Sequence, residues 1–201
     1  YHRPVHEIFK RIQQRPVASA SLAQVHIAYL KKNNKRVALK VQRPGIQEIV
    51  KRDLNILAFI ARRLEKYSKD FERLHLTRVV SEFAEWTLRE LDFLAEAGHM
   101  LRLQYALRDV KDVIIPRVYQ DLTTSRVLVM EYIKGIKGND VKAMQQSNIH
   151  PKVIASLCVK ATLQQILIEG FFHADPHPGN FVALSGDKIA LYDFGMVGYL
   201  E

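Results

Sequence analysis

The sequence predicts an α+β fold in two lobes. The small lobe is an antiparallel sheet with inserted helices, and the large lobe is helical and only partly represented. Three observations predict this. Val25–Leu30 and Arg36–Val41 read as paired strands around a turn at Lys31–Lys35, where Asn33–Asn34 favours tight reversal. Ile46–Tyr67 and a stretch from about Leu76 to Leu107 carry apolar residues at helical spacing. Further on, His173–Asn180 and Asp193–Gly195 bracket two short apolar runs, Phe181–Leu184 and Ile189–Tyr192, in the order loop, hairpin, loop.

Composition narrows the function. The 201 residues are 48% hydrophobic, enough for one large core or two small lobes. A net charge of +9 suits an anionic partner such as nucleotide phosphate or an acidic lipid surface. The basic residues are spread along the chain and not interleaved with aromatics, which argues against nucleic acid. The single cysteine, Cys158, excludes an internal disulfide. No apolar run reaches the roughly 18–20 residues of a membrane span; Val153–Phe172 comes nearest and is broken by Lys160, Gln164, Gln165 and Glu169. Nothing in the sequence specifies an oligomeric state. The first residue is Tyr1 rather than Met, and segments are expected to be missing at both ends.

Taken in order, residues 1–15 mix basic side chains with a short amphipathic piece, Glu7–Ile12, and are expected to be the tail of an upstream extension. The small lobe is expected over 16–133. It opens on a loop rich in alanine and serine. Protein kinases cover nucleotide phosphates with G-x-G-x-x-G-x-V and follow it with a lysine on a strand. Here Ala18, Ala20 and Ala23 stand at the three glycine positions and Val25 at the valine, with Ser19 and Ser21 between. Lys40 closes Val37–Ala38–Leu39–Lys40 on the return strand. Alanine resists positive φ, so this loop should be stiffer than a glycine loop.

Ile46–Tyr67 is then an inserted helix. The helix from about Leu76 to Leu107 carries Glu90, Asp92 and Glu96. One such glutamate could pair with Lys40, and continuous helical spacing puts Asp92 and Glu96 on one face with Glu90 turned away. Spacing alone leaves all three open. Val113–Pro116 and Val118–Gln120 read as a strand and its edge, and Arg126–Ile133 as a buried strand. Backbone groups around Glu131 and Ile133 would meet an adenine edge. Lys134–Asp140 reads as a flexible linker, and a partial large lobe is expected over 134–201. Val141–Asn148 is a short helix. Pro151 opens another that runs to Glu169 and stops at Gly170.

The closing loops carry the chemistry. The kinase pattern is H-R-D-x-x-x-x-N followed by D-F-G. His173, Asp175, Asn180 and Asp193–Phe194–Gly195 fit it, with Ala174 in place of the arginine. One carboxylate would receive a hydroxyl proton, while an amide oxygen and a second carboxylate would hold Mg²⁺ on phosphates.

Together the alanine-rich loop, Val37–Lys40, Glu90–Leu91–Asp92 with Glu96–Ala97, Val129–Tyr132, His173–Asn180 and Asp193–Gly195 resemble the UbiB family, the ABC1/AarF-domain (ADCK-type) atypical protein-kinase-like proteins. The resemblance runs from about Pro16 to Gly195. It implies that Ala18–Ala23 lies over the nucleotide, that Lys40 binds phosphate and pairs with Glu96, and that Glu90 and Asp92 form the family's E-x-D motif. Asp175 stands at the catalytic-base position, and Asn180 and Asp193 at the metal ligands. It also implies ATP or ADP with Mg²⁺, and a membrane lipid or prenylquinone-precursor partner. A membrane-associated place in a bacterium, mitochondrion or plastid follows from the same resemblance. The family's upstream K-x-G-Q motif is absent from this sequence.

Two other readings exist. His173-x-Asp175-x-His177 could hold Zn²⁺ or Mn²⁺ in a hydrolase-type cluster. Alternatively the chain is a pseudokinase-like module that binds nucleotide or lipid and transfers nothing.

Overall fold

A computed structural model describes residues 4–67 and 69–200. A single turn, α1 (Val5–Ile8), leads into β1 (Phe9–Ile12). Next come β2 (Ala18–Ser19), β3 (Ala23–Leu30) and β4 (Arg36–Gln42). Three helices follow, α2 (Ile46–Tyr67), α3 (Lys69–Arg73) and α4 (Leu76–Glu90), and then α5 (Phe93–Ala106). After β5 (Val113–Ile114), β6 (Val127–Glu131) and β7 (Ile136–Lys137) come α6 (Val141–Gln146) and α7 (Pro151–Leu163). The last strands are β8 (Phe171–His173), β9 (Phe181–Leu184), β10 (Lys188–Leu191) and β11 (Val197–Tyr199).

The first sheet is antiparallel, in the order β1-β3-β4-β6, with β2 also on β3. Its register sets Lys40 opposite Val25 on one side and Leu128 on the other. Residues 9–12, expected to be the tail of an upstream extension, form the outer edge of this sheet. Ile8, Phe9, Leu30, Val37 and Val129 make one apolar cluster there, and burying Phe9 and Ile12 against β3 favours pairing over a loose tail. The opposite face meets α5 in a larger core that includes Ala38, Leu128, Phe93, Met100, Phe171 and Phe194.

Three expectations need correction. The helix expected over Leu76–Leu107 is two helices. Asp92 takes an extended conformation and its side chain accepts from the N–H of Leu94 at 3.0 Å, an N-cap that starts α5 afresh. Gln42 reinforces the break: its amide donates to the carbonyls of Leu91 and, at 3.1 Å, Ser125.

The stretch Lys134–Asp140 is not a flexible linker. Ile136–Lys137 forms β7 and pairs with β9 in the second sheet, ordered β5-β10-β9-β7. A Cβ on Gly135 would lie 2.7 Å from the Ala183 carbonyl, and one on Gly138 would lie 2.5 Å from that of Pro178. These glycines allow close backbone approach, a role that composition alone does not separate from flexibility. Val118–Gln120 is also no strand: Val118 makes one bridge to Met130, and Gln120–Leu122 is a 3₁₀ turn.

Ile46–Tyr67 and Arg126–Ile133 form as expected, the latter trimmed to Val127–Glu131. The helix from Pro151 runs through a π-helical turn, Gln164–Glu169, and ends at Gly170 with φ 59°. No helix among the described residues is long and apolar enough to cross a membrane.

Candidate active site

The site lies where β4, α5 and the two closing loops converge. Lys40 reaches it from the middle of a central strand. Its Nζ lies 2.7 and 2.9 Å from the two Glu96 carboxylate oxygens and 3.1 Å from Asp193 Oδ1. Burial works against the Lys40 charge, but the Glu96 and Asp193 carboxylates outweigh it and hold its pKa above the ordinary lysine value. Glu96 is 4% exposed, and Lys40 is its charge partner. Of the three acidic residues that spacing left open, the structure puts Glu96 on Lys40.

The helix break decides the other two. Asp92 spends its carboxylate capping α5 and does not reach Lys40. Glu90 ends α4, where the chain turns, and faces the site instead of pointing away from it. Its carboxylate lies beside Gly195, within electrostatic reach of Asp193, Lys40, Glu96 and Asp175. Burial, and then the Asp193 charge, raise the Glu90 pKa above its ordinary value.

Asp193 sits in the left-handed region at φ 51°, uncommon for a non-glycine residue. Hydrogen bonds hold the surrounding backbone on every side. The Asp193 carbonyl meets His173 Nε2 at 2.6 Å, and the Phe194 N–H donates to Glu96 Oε1 at 3.2 Å. His99 Nδ1 meets the Phe194 carbonyl at 3.0 Å, and the Gly195 N–H donates to Asp193 Oδ1 at 3.3 Å. Phe194 itself is fully buried in the main core. Burial pushes the Asp193 carboxyl upward, yet Lys40 and the Gly195 N–H together hold its pKa below the usual value.

His173 joins the two closing loops. Its Nδ1 accepts from the Asp175 N–H at 3.1 Å while Nε2 donates to the Asp193 carbonyl, so the contacts select one neutral tautomer. Its own N–H donates to the buried Gln165 side chain at 2.8 Å, in the π-helical turn. Both ring nitrogens are therefore spent on backbone groups. Among the described residues no group of three His, Cys, Asp or Glu side chains is arranged to hold a metal ion. A hydrolase-type cluster on His173, Asp175 and His177 has lost its first ligand; His177 Nδ1 accepts from the Gly179 N–H at 3.0 Å.

Asp175 and Asn180 form a second unit. The Asn180 amide nitrogen donates to Asp175 Oδ2 at 2.9 Å and to the Asp175 carbonyl at 3.1 Å. This leaves the Asn180 amide oxygen as its unspent acceptor.

The alanine-rich loop turns at one end of the sheet, with Ala18, Ser19, Ala20 and Ser21 exposed. Ala23 is buried, and Val25 packs beside it on the core that holds α5. Glu131 ends β6 and, with the residues up to Ile133, joins the two sheets. The Tyr192 phenol donates to the Ile133 carbonyl, and burial followed by Tyr132 pushes its pKa up to about 12.

Sequence reading overlooked His99 and Gln165. A signal existed for His99, because it stands three positions after Glu96 and the two share a helix face. No comparable signal marked Gln165.

A family model of the ABC1 atypical kinase-like domain matches residues 1–201. The chain is 39% identical to the chloroplastic ACTIVITY OF BC1 COMPLEX KINASE 8 of Arabidopsis thaliana, over 98% of this chain and 26% of that protein. It is also 39% identical to the probable protein kinase UbiB of Marinobacter nauticus, over 98% of this chain and 37% of that one. A solved complex of Rv3197 with erythromycin, from Mycobacterium tuberculosis, superposes with a TM-score of 0.75 at 28% identity, covering 96% of this chain and 48% of that chain. The chain therefore spans about a quarter to a third of these curated relatives' length.

Proposed function

This chain belongs to the ABC1 atypical kinase-like family, and from that premise we propose that it binds ATP or ADP with Mg²⁺ and serves an ATP-dependent phosphotransferase or ATPase. The observation that carries the reading is the junction of Lys40, Glu96 and Asp193. Residues from a strand, a helix and a loop, far apart in sequence, meet within 2.7–3.1 Å.

The donor set fits the proposed cofactors. The Asn180 amide oxygen and the Asp193 carboxylate, whose side chain is 53% exposed, are hard oxygen ligands of the kind magnesium takes. When bound, the ion would neutralise phosphate charge. Lys40 would contribute its amine to the phosphates, with Glu96 holding that amine in place and keeping it protonated. Asp175 would orient a hydroxyl or water through Oδ1, since Asn180 already engages Oδ2. Main-chain groups from Glu131 to Ile133 would meet the adenine edge, and Ala18, Ser19, Ala20, Ser21, Ala23 and Val25 would cover the phosphates. Glu90 would border the metal site, and Asp92 would support it through the cap of α5.

Among the relatives are chloroplastic proteins and a bacterial UbiB. Support of ubiquinone or other prenylquinone biosynthesis, at a membrane and with a lipid or prenylquinone-precursor partner, extends the same proposal.

The test is ATP hydrolysis by the full-length protein, with and without anionic liposomes and prenylquinone-like phenols, beside Asp193→Asn. Turnover lost in the variant supports the reading. Equal, absent turnover with retained Mg²⁺-dependent nucleotide binding would move the assignment to a pseudokinase-like binding module.

A further inference from the structure

The alanine-rich loop has few internal bonds to fix its position over the site. Its residues at the glycine positions all keep negative φ, since none of 18–23 is among the left-handed residues. Four of these residues, Ala18, Ser19, Ala20 and Ser21, are exposed. Its internal bonds are a short ladder, Ala18 opposite Val25 and Ser19 opposite Gln24, and one turn bond from the Ala20 N–H to the Ala23 carbonyl at 2.9 Å. A glycine loop can shape itself around phosphates. A loop of alanines must be positioned by something else.

Arg43 does this at three points. Its backbone N–H donates to the Leu22 carbonyl at 3.0 Å, Nε donates to the Ala20 carbonyl at 3.2 Å, and Nη2 donates to the Ser19 hydroxyl at 2.8 Å. The ion pairs among the described residues do not include Arg43, so its charge is directed to the loop and not to a carboxylate. Arg43 is itself well anchored. It lies three residues beyond Lys40, Pro44 and Gly45 follow (φ 69° at Gly45), and its carbonyl accepts from the Ile46 N–H at 3.2 Å as α2 begins. One residue thus links the lysine strand, the start of the inserted helix and the loop.

We propose that Arg43 is a positioning residue of the nucleotide site: it latches the alanine-rich loop through Ser19 and Ala20 and so sets the loop's height over the phosphates relative to Lys40. The proposal rests on the nucleotide reading above. The planar guanidinium matters because its Nε and Nη2 reach two acceptors at once, which a lysine amine on a flexible stem does not reproduce. Nucleotide affinity should therefore depend on the fork and on Ser19 together.

The experiment is a titration of the full-length protein with Mg²⁺-ADP, for wild type, Arg43→Ala, Arg43→Lys, Ser19→Ala and the Arg43→Ala/Ser19→Ala double variant. Thermal melts and amide exchange of the nucleotide-free proteins accompany it. Two charge-assisted bonds lie at stake, so Arg43→Ala should weaken ADP about tenfold. Arg43→Lys should be nearly as weak. Ser19→Ala should weaken binding in wild type and add nothing in the Arg43→Ala background. Without nucleotide, amides at 19–23 should exchange faster in Arg43→Ala while the melting temperature stays near wild type. Full affinity in Arg43→Ala would overturn the proposal. Full rescue by lysine would also overturn it, because charge and not positioning would then be the contribution. If wild type binds no ADP, it is the nucleotide reading that fails. The exchange rates then decide the latch alone, and an unchanged loop in Arg43→Ala would overturn that as well.

Discussion

His99 donates from Nδ1 to the carbonyl of Phe194 at 3.0 Å. One turn earlier on α5, Glu96 accepts the N–H of the same residue at 3.2 Å. A single helix face therefore grips both backbone polar groups of Phe194, the residue that follows Asp193, and any movement of α5 moves the loop with it. Arg102 strengthens the link, stacking over Phe171 at 4.3 Å and Tyr199 at 5.1 Å on the strand pair that flanks the closing loops.

Removing the His99 contact should loosen the loop without unfolding the protein. His99→Ala leaves one carbonyl to find water, at a cost of about 1 kcal/mol, or roughly 2–4 °C in melting temperature. Amide exchange at Phe194 and Gly195 should rise. Unchanged exchange there would show that Glu96 alone holds the peptide.

Glu96 and Asp193 touch the same amine and should differ sharply in stability. Glu96 is buried and Lys40 largely so, so Glu96→Ala leaves Lys40 with only the half-exposed Asp193 carboxylate and should cost about 3 kcal/mol. Asp193 is half exposed, so Asp193→Asn should cost less than about 1 kcal/mol. Both should lower any Mg²⁺-dependent ATP turnover by about 10²-fold. Denaturant midpoints beside turnover rates separate the two effects.

Raised pKa values at two residues both make stability fall as pH rises, in different pH windows. Lys40 has a raised pKa, so its contribution is fully present below the unfolded lysine value of 10.5 and is lost as pH rises through the folded one. Glu90 is an acid with a raised pKa, so ionising it opposes folding. Its penalty is absent well below 4.5 and complete above the folded value. Glu90→Gln should therefore raise the melting temperature of the nucleotide-free protein at pH 7 and leave it unchanged near pH 3.5. An equal gain at both pH values would assign the effect to packing.

His173→Ala should be more costly than His99→Ala, because it orphans a part-buried carbonyl and a part-buried N–H in two loops at once. At about 1–3 kcal/mol per unmatched group, a loss of about 3 kcal/mol is expected, read from thermal or denaturant unfolding. Added Zn²⁺ should not restore or raise wild-type stability, since both ring nitrogens are already engaged.

Gly138→Ala should destabilise the protein although glycine-to-alanine changes often stabilise exposed turns. The new methyl would sit 2.5 Å from the Pro178 carbonyl and from the Phe181 ring. Overpacking of this kind costs about 1–3 kcal/mol and would push on the loop that carries Asn180. A melting temperature at or above wild type would refute the close approach.

Much of this protein was legible in its residue order. The hairpin, the inserted helix, the helix ending at Gly170 and the Asp175–Asn180–Asp193 spacing were all readable. Each rests on local rules: period-two or period-3.6 patterning, turn chemistry, and the fixed reach of a loop between two strands. Tertiary structure decided which carboxylate meets Lys40. A helix assumed continuous puts Asp92 beside Glu96 and turns Glu90 outward. The Asp92 cap and the Gln42 bond to Leu91 break that helix, so Asp92 is spent on backbone while Glu90 swings inward. The same holds for Arg43, whose partners lie 23 and 24 residues back across the sheet. Sequence alone records which groups are available. Which acceptor a long side chain meets depends on where folding brings distant backbone, and periodicity carries no information about that.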